Sequence, residues 1–251
     1  MLEQEAVHLI EARDPAIFTI ESQTSTQDRI SLLAAQGLAR SSRGEYAYLE
    51  IGSFRGGTLV PYLLDPSCKH VVSIDKRPDG QPDERARYFS YQGVTTKGMV
   101  EQLRRFVPLT GLGKLATFDA DASQISPAAI GVPIDVALID GEHTNVATFS
   151  DFMSLFPALT PDAMVVFHDA NLILDAIRNV ECFLRYSGVS YRTFFLHHVV
   201  AMIALRGSQA AAAERLALLA HDPVAFARDS RRNLHESIAQ AVAEGAHLAV
   251  S

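Results

Sequence analysis

Basic residues are the scarcer charge in this chain of 251 residues: 22 Lys and Arg stand against 29 Asp and Glu, a formal net charge of −7. A broad phosphate-neutralising face needs the opposite balance, so nucleic acid is not the expected substrate. Arg and Lys do gather at Lys76-Arg77 and from Arg85 to Arg105, but acids are interspersed and the pattern reads as solvated surface. Cysteine is scarcer still. Cys68 and Cys182 are too few for a disulfide framework and lie in no CxxC pattern, so a reducing cytoplasm suits both. Long apolar runs are missing: Val199 to Leu205 falls far short of the roughly 20 residues a spanning helix requires. Met1 to Asp14 holds several acids and no basic segment leading into an apolar run, so no secretory signal is expected. There is no internal repeat. What is left, with 48% hydrophobic and 20% charged residues, is the composition of an ordinary soluble, cytoplasmic globular protein with room for a large core.

The most informative segment that is present runs from Tyr48 to Thr58, Y-L-E-I-G-S-F-R-G-G-T. It reads as a strand that ends on a carboxylate and breaks into a glycine-rich turn opening a helix, here expected over Gly57 to Leu64. Glycines at such a junction permit positive φ and let a ligand approach bare backbone. The new helix would offer free N–H groups and partial positive charge to an anionic ligand group. The spacing G-x-x-x-G-G departs from the dinucleotide fingerprint G-x-G-x-x-G, and Phe54 stands where a glycine would make room for a pyrophosphate. That argues against NAD or FAD. The same turn also suits a plain strand-to-helix connection with no ligand.

Helical patterns occupy residues 1–44, at Gln4 to Ala12 and at Thr26 to Arg40, with Ser25 or Thr26 as N-cap of the second. From Tyr46 the pattern alternates. Short apolar runs at Tyr46–Ile51, His70–Ile74, Lys114–Phe118, Ile134–Ile139 and Ala163–Phe167 are mostly separated by helical stretches, the signature of a parallel sheet covered on both faces. Tyr191–Leu196 and Val199–Leu205 are joined by only His197-His198, too short for a parallel crossover, so they form an antiparallel hairpin. The expected fold class is α/β: a Rossmann-like, mostly parallel seven-stranded sheet whose last two strands are a hairpin. Three parts follow: a helical extension over 1–44, a ligand-binding domain over 45–206 and a helical tail over 207–251 in which Pro223 starts a helix. Exposed helices at the N-terminus leave room for a homo-oligomer. Arg77 to Gly93, rich in Pro and Gly, reads as a lid or binding loop after the second strand.

Ligands of open α/β sheets bind outside the carboxyl ends of the strands. Each apolar run here delivers an acid to that rim: Glu50, Asp75, Asp119 with Asp121, Asp140, and His168-Asp169. Any one of them suits a helix cap or a solvated loop, but the whole series points to a ligand. Asp75, one strand over from the turn, can accept from both hydroxyls of a ribose, and Asp121 from the exocyclic amine of adenine. The turn is then left to hold the polar tail of a nucleoside.

The ordered set Glu50-Ile51-Gly52-Ser53-Phe54-Arg55-Gly56-Gly57, Ser73-Ile74-Asp75, Asp119-Ala120-Asp121, Asp135 to His143 and Val166-Phe167-His168-Asp169 resembles the class I S-adenosylmethionine-dependent methyltransferases. The D-G-x-H and F-H-D segments are similar to the branch of macrocin-type and mycinamicin-type sugar O-methyltransferases. The resemblance runs from about Tyr46 to Asn171. It implies S-adenosylmethionine as cofactor, held by Glu50, Gly52, Ser53, Gly56, Gly57, Asp75, Asp121 and Asp140, and O-methylation of a small-molecule acceptor such as a sugar or a secondary metabolite. It also implies a divalent metal, Mg²⁺ or another, at Asp140, His168 and Asp169, with His143 as general base beside Asp140. The sequence departs at His168, where some relatives carry a carboxylate and where Mg²⁺ prefers oxygen. A capping or core histidine is the rival reading of His143. An NAD-dependent oxidoreductase and a non-catalytic cofactor-binding module are the alternative functions.

Overall fold

The computed structural model describes residues 3–244; Met1, Leu2 and residues 245–251 of the expected tail lie outside the described residues. The described residues form nine strands: β1 (Tyr46–Ile51), β2 (Cys68–Ile74), β3 (Gly80–Pro82), β4 (Tyr88–Ser90), β5 (Leu115–Phe118), β6 (Ile134–Ile139), β7 (Leu159–Phe167), β8 (Tyr191–Phe195) and β9 (Ala201–Leu205). Seven make one sheet in the order β5-β2-β1-β6-β7-β9-β8, and β3 pairs with β4 in a separate hairpin. Pairs from β5 to β7 are parallel, whereas β9 runs antiparallel to both β7 and β8. The expected seven-stranded sheet and its terminal hairpin are thus present. The last strand is inserted beside β7, leaving β8 at the edge.

Among the described residues ten α-helices surround the sheet: α1 (Glu3–Ala12), α2 (Thr26–Arg43), α3 (Val60–Leu64), α4 (Thr96–Leu103), α5 (Leu109–Leu112), α6 (Pro127–Ile130), α7 (Asn145–Leu155), α8 (Leu174–Tyr186), α9 (Gln209–Leu216) and α10 (Pro223–Ala243). Ser25 caps α2 through a reciprocal bond with Asp28, and Asp222 caps α10 just ahead of Pro223. Side chains alternate across the sheet, so it has two cores. Tyr48 faces a cluster containing Ile10 of α1, Leu33 and Leu38 of α2 and Leu63 of α3; Leu49 and Ile51 face one containing Phe152 of α7 and Ile177 of α8. The apolar faces of α1 and α2 are therefore already covered within the chain. No helix among the described residues is long and apolar enough to cross a membrane.

The strands end at one level because each rim residue is the next rung of the ladder. Gly52 N–H donates to Ile74 O (2.9 Å), Asp75 N–H to Phe118 O (3.0 Å), Asp140 N–H to Ile51 O (2.9 Å) and His168 N–H to Ile139 O (3.1 Å). The sheet order reverses between β1 and β6, and that switch point is where a cleft opens.

Candidate active site

Gly52 sits at the switch point with φ +89°, and a Cβ there would lie 2.1 Å from the Asp140 carbonyl oxygen. Only glycine fits. Gly57 is held as tightly, since its Cβ would meet the carbonyl oxygens of Ile20 and Glu21 at 2.7 Å. The helix expected from Gly57 begins instead at Val60 and spans five residues, with Pro61 in its first turn. Packing of the turn beneath the Ile20–Ser22 segment holds Gly57 to Leu59 outside the helix, and so short a helix carries little dipole. Three non-glycine residues near the rim have left-handed backbones: Phe54 (φ +46°), Arg77 (φ +50°) and Asp169 (φ +50°). Such strain persists where surrounding contacts enforce it. For Phe54 the contact is its N–H, which donates to Asp75 Oδ2 at 3.0 Å.

A cleft of about 940 Å³, its open mouth included, extends from this turn along the rim. Gly52, Ser53, Gly57, Asp75 and Asp121 line it together with Asp140, which lies beside Gly52, and His143. Asp75 is anchored by the N–H groups of Phe54 and Arg77 and by an ion pair with Arg77 (3.1 Å). Asp121 accepts from the N–H and hydroxyl of Ser123.

Glu50 and Gly56, also expected at the ligand, do not line the cleft. Glu50 shares its face of β1 with Tyr48, so it points into the α1–α3 core and is completely buried. There it accepts from Tyr48 Oη (2.6 Å) and Thr58 Oγ1 (2.7 Å). Burial outweighs those bonds and pushes its carboxyl up to about 7. Asp151 of α7 lines the cleft without having been anticipated. Burial, then the Asp121 carboxylate, raises it to about 7. Nothing in sequence distinguishes it from a solvated helix acid.

The wall formed by Asp140 and His143 belongs to a cluster of two histidines and two carboxylates, completed by His168 and Asp169, each with a ligand atom within 4.8 Å of the others. His143 spans the two acids, with Nε2 3.4 Å from Asp140 Oδ1 and Nδ1 3.2 Å from Asp169 Oδ2. His168 lies deeper, behind the cleft lining, with Nδ1 3.0 Å from Asp140 Oδ1 and 3.3 Å from Asp169 Oδ2. Its Nε2 faces Asp28 Oδ2 at 3.5 Å. Burial lowers both imidazole pKa values, but the surrounding carboxylates outweigh it and leave both raised. Neither ring nitrogen of His168 completes an aligned hydrogen bond. A buried imidazole with unmatched nitrogens beside two carboxylates fits a bound dication. Asp140, His168 and Asp169 are thus brought together as expected.

The Arg77–Gly93 segment is a small hairpin fastened to that wall. Gln81 Nε2 donates to Gly141 O (3.1 Å), Glu84 N–H to His143 O (3.2 Å), and Asn145 N–H to Glu84 Oε1 (2.6 Å). Arg77 is not the solvated residue that charge patterning suggests, since its side chain is mostly buried and bonded to Phe54 O, whereas Lys76 is exposed as expected and pairs with Glu142 (3.1 Å); both line the cleft.

A family model described as a methyltransferase domain matches residues 49–170, which takes in the entire rim. No curated protein matches the chain. Among solved structures, a Staphylococcus aureus protein provisionally named a caffeoyl-CoA O-methyltransferase is 13% identical over 80% of this chain and 92% of that one, with a TM-score of 0.53. The calicheamicin methyltransferase CalS11 is 16% identical over 82% and 91%, with a TM-score of 0.51. The O-methyltransferase TomG of Streptomyces achromogenes, involved in tomaymycin synthesis and solved with S-adenosylmethionine, is 17% identical over 81% and 90%, also at 0.51. At such identities the likeness is one of fold. Rim and turn thus lie within residues 49–170, which match a methyltransferase domain, and the fold that carries them is the one shared with these solved structures.

Proposed function

We propose that the protein transfers the methyl group of S-adenosylmethionine to a hydroxyl of a small molecule, a sugar or another secondary metabolite. The observation that carries this reading is His143, set on the cleft lining between Asp140 and Asp169. In this assignment the backbone at Gly52 and Ser53 takes the methionine moiety, Asp75 the ribose hydroxyls and Asp121 the adenine edge. Glu50 and Gly56 act from behind, by holding Thr58 and the turn in place.

Methyl transfer is an in-line displacement: the acceptor oxygen forms a bond to the methyl carbon as the carbon–sulfur bond breaks, and the sulfonium becomes the neutral thioether of S-adenosylhomocysteine. The protein's main contribution is alignment, which is potentially worth several kcal/mol. A neutral hydroxyl is a poor nucleophile. Neutral His143 would take its proton, and Asp140 and Asp169 would stabilise the imidazolium that results. A divalent cation held by Asp140, His168 and Asp169 would supply a lowered pKa for the acceptor hydroxyl.

Isothermal calorimetry with S-adenosylmethionine and S-adenosylhomocysteine tests the cofactor half of the proposal, with micromolar binding expected for both. No binding of either at high micromolar ligand overturns it, and binding of NAD in their place would revive the oxidoreductase reading. A panel of hydroxylated, amino and thiol acceptors assayed by mass spectrometry tests the oxygen. Methylation confined to amines or thiols would refute O-transfer.

A further inference from the structure

His168 is 4% exposed, and the three carboxylates around it are those of Asp28, Asp140 and Asp169. On one side, its Nδ1 and the oxygens Asp140 Oδ1 and Asp169 Oδ2 converge with separations of 3.0 and 3.3 Å. Neighbouring ligands on one ion stand about 3.0–3.4 Å apart when the bonds are about 2.0–2.1 Å long. On the other side, Nε2 faces Asp28 Oδ2 at 3.5 Å. Asp28 is itself fixed, accepting from Ser25 N–H (2.8 Å) in the capping box of α2 and from Val199 N–H (3.3 Å) beyond the hairpin turn. A metal-bound imidazole commonly gives its second N–H to a carboxylate, which sets the tautomer and aims the ring. Asp28 occupies that place.

The chemistry of the donors decides which ion suits them. Mg²⁺ wants oxygen and keeps its waters, whereas an imidazole among the ligands favours the later first-row dications. We infer that Asp140, His168 and Asp169 form a transition-metal site that takes Co²⁺, Ni²⁺, Fe²⁺ or Zn²⁺ in preference to Mg²⁺, with Asp28 as the positioning residue for His168. His143 stands on the cleft side of the same acids, its nitrogens 3.4 Å from Asp140 Oδ1 and 3.2 Å from Asp169 Oδ2. A proton on His168 would pair with the same carboxylates, and the two occupants predict opposite results. The inference rests on the proposed methyl-transfer site, but an optical readout of the metal and a calorimetric readout of the nucleoside keep the two failures distinguishable.

The test uses the full chain, stripped with a chelator and titrated with Co²⁺ alone. Visible ligand-field bands saturating at one equivalent are expected, with Mg²⁺ displacing Co²⁺ only at more than about tenfold excess. His168→Gln should weaken Co²⁺ binding at least about thirtyfold while S-adenosylhomocysteine affinity stays within about threefold. His168→Asp should move the preference toward Mg²⁺. Asp28→Asn should weaken Co²⁺ binding about 10- to 100-fold with cofactor affinity retained, whereas a capping role alone would lower thermal stability and leave the Co²⁺ affinity intact. Absence of ligand-field bands at millimolar Co²⁺, equal competition by Mg²⁺, or full Co²⁺ affinity in His168→Gln would each overturn the inference. The His168→Gln arm decides the matter even if Asp28→Asn fails to fold.

Discussion

Replacing Glu50 by Gln should make the protein more stable at alkaline pH while changing little under acid conditions. Glu50 is completely buried, and its carboxyl titrates at about 7 rather than 4.5, because burial outweighs the bonds from Tyr48 and Thr58. The folded pKa lies above the unfolded one, so the contribution to stability is complete below about pH 4.5 and is lost as pH rises through 7. At about 1.4 kcal/mol per pH unit, holding the ionised carboxylate in the core costs about 3 kcal/mol above neutrality. Gln cannot ionise. Its amide oxygen accepts from one hydroxyl and its NH₂ donates to the oxygen of the other, so both partners stay satisfied. Urea unfolding of both proteins at about pH 4.5 and about pH 8.5 gives a double difference in which titrations common to the two cancel. The variant should gain about 3 kcal/mol relative to wild type between those pH values, about 6–12 °C in melting temperature for a chain of this size. Stability curves offset by less than about 0.5 kcal/mol at both ends would show that Glu50 is not an ionisable group trapped in the core.

Asp75→Ala should weaken S-adenosylhomocysteine binding about 10- to 100-fold, the loss of charged hydrogen bonds to two hydroxyls; unchanged affinity by calorimetry would remove Asp75 from the ribose. His143→Ala should lower kcat by about two to four orders of magnitude on a true acceptor with cofactor affinity retained, and full turnover would defeat the base assignment. Gly52→Ala drives a methyl group to 2.1 Å from the Asp140 carbonyl at a φ of +89°. It should cost more than about 2 kcal/mol in thermal or urea unfolding and abolish cofactor binding, and wild-type stability would contradict the close approach.

The parallel strands were legible because they are buried on both faces and therefore read as continuous Val- and Ile-rich runs between helical patterns. The rim acids were legible for a related reason: a residue just past such a run must emerge at the sheet edge, as Asp75 and Asp140 do. Long-range packing hid the rest. The direction of Glu50 depends on which face its strand parity selects, and that is set by the whole sheet. The strand-to-turn pattern suggests a helix from Gly57, but the carbonyls of Ile20 and Glu21 pack against that glycine and the residues before Val60 stay in a turn. Arg77 looks like one more charge in a mixed patch until Asp75 and the Phe54 carbonyl are brought beside it. Asp28 and Asp151 lie in amphipathic helices whose approach to the site comes only with tertiary structure.

The approach of Gly52 to Asp140 makes the base of the cleft a single layer of main chain shared by β1 and β6. Main chain cannot be mutated. Whatever touches that base is recognised by main-chain groups, so this part of the molecule can hold its ligand constant while neighbouring side chains drift, as long as Gly52 itself stays glycine. The side walls are another matter, because Gln23, the hairpin residues Gln81 and Tyr91, and Ala147 come from three separately replaceable segments. New acceptors can therefore be explored by changing one wall at a time, with no penalty at the base.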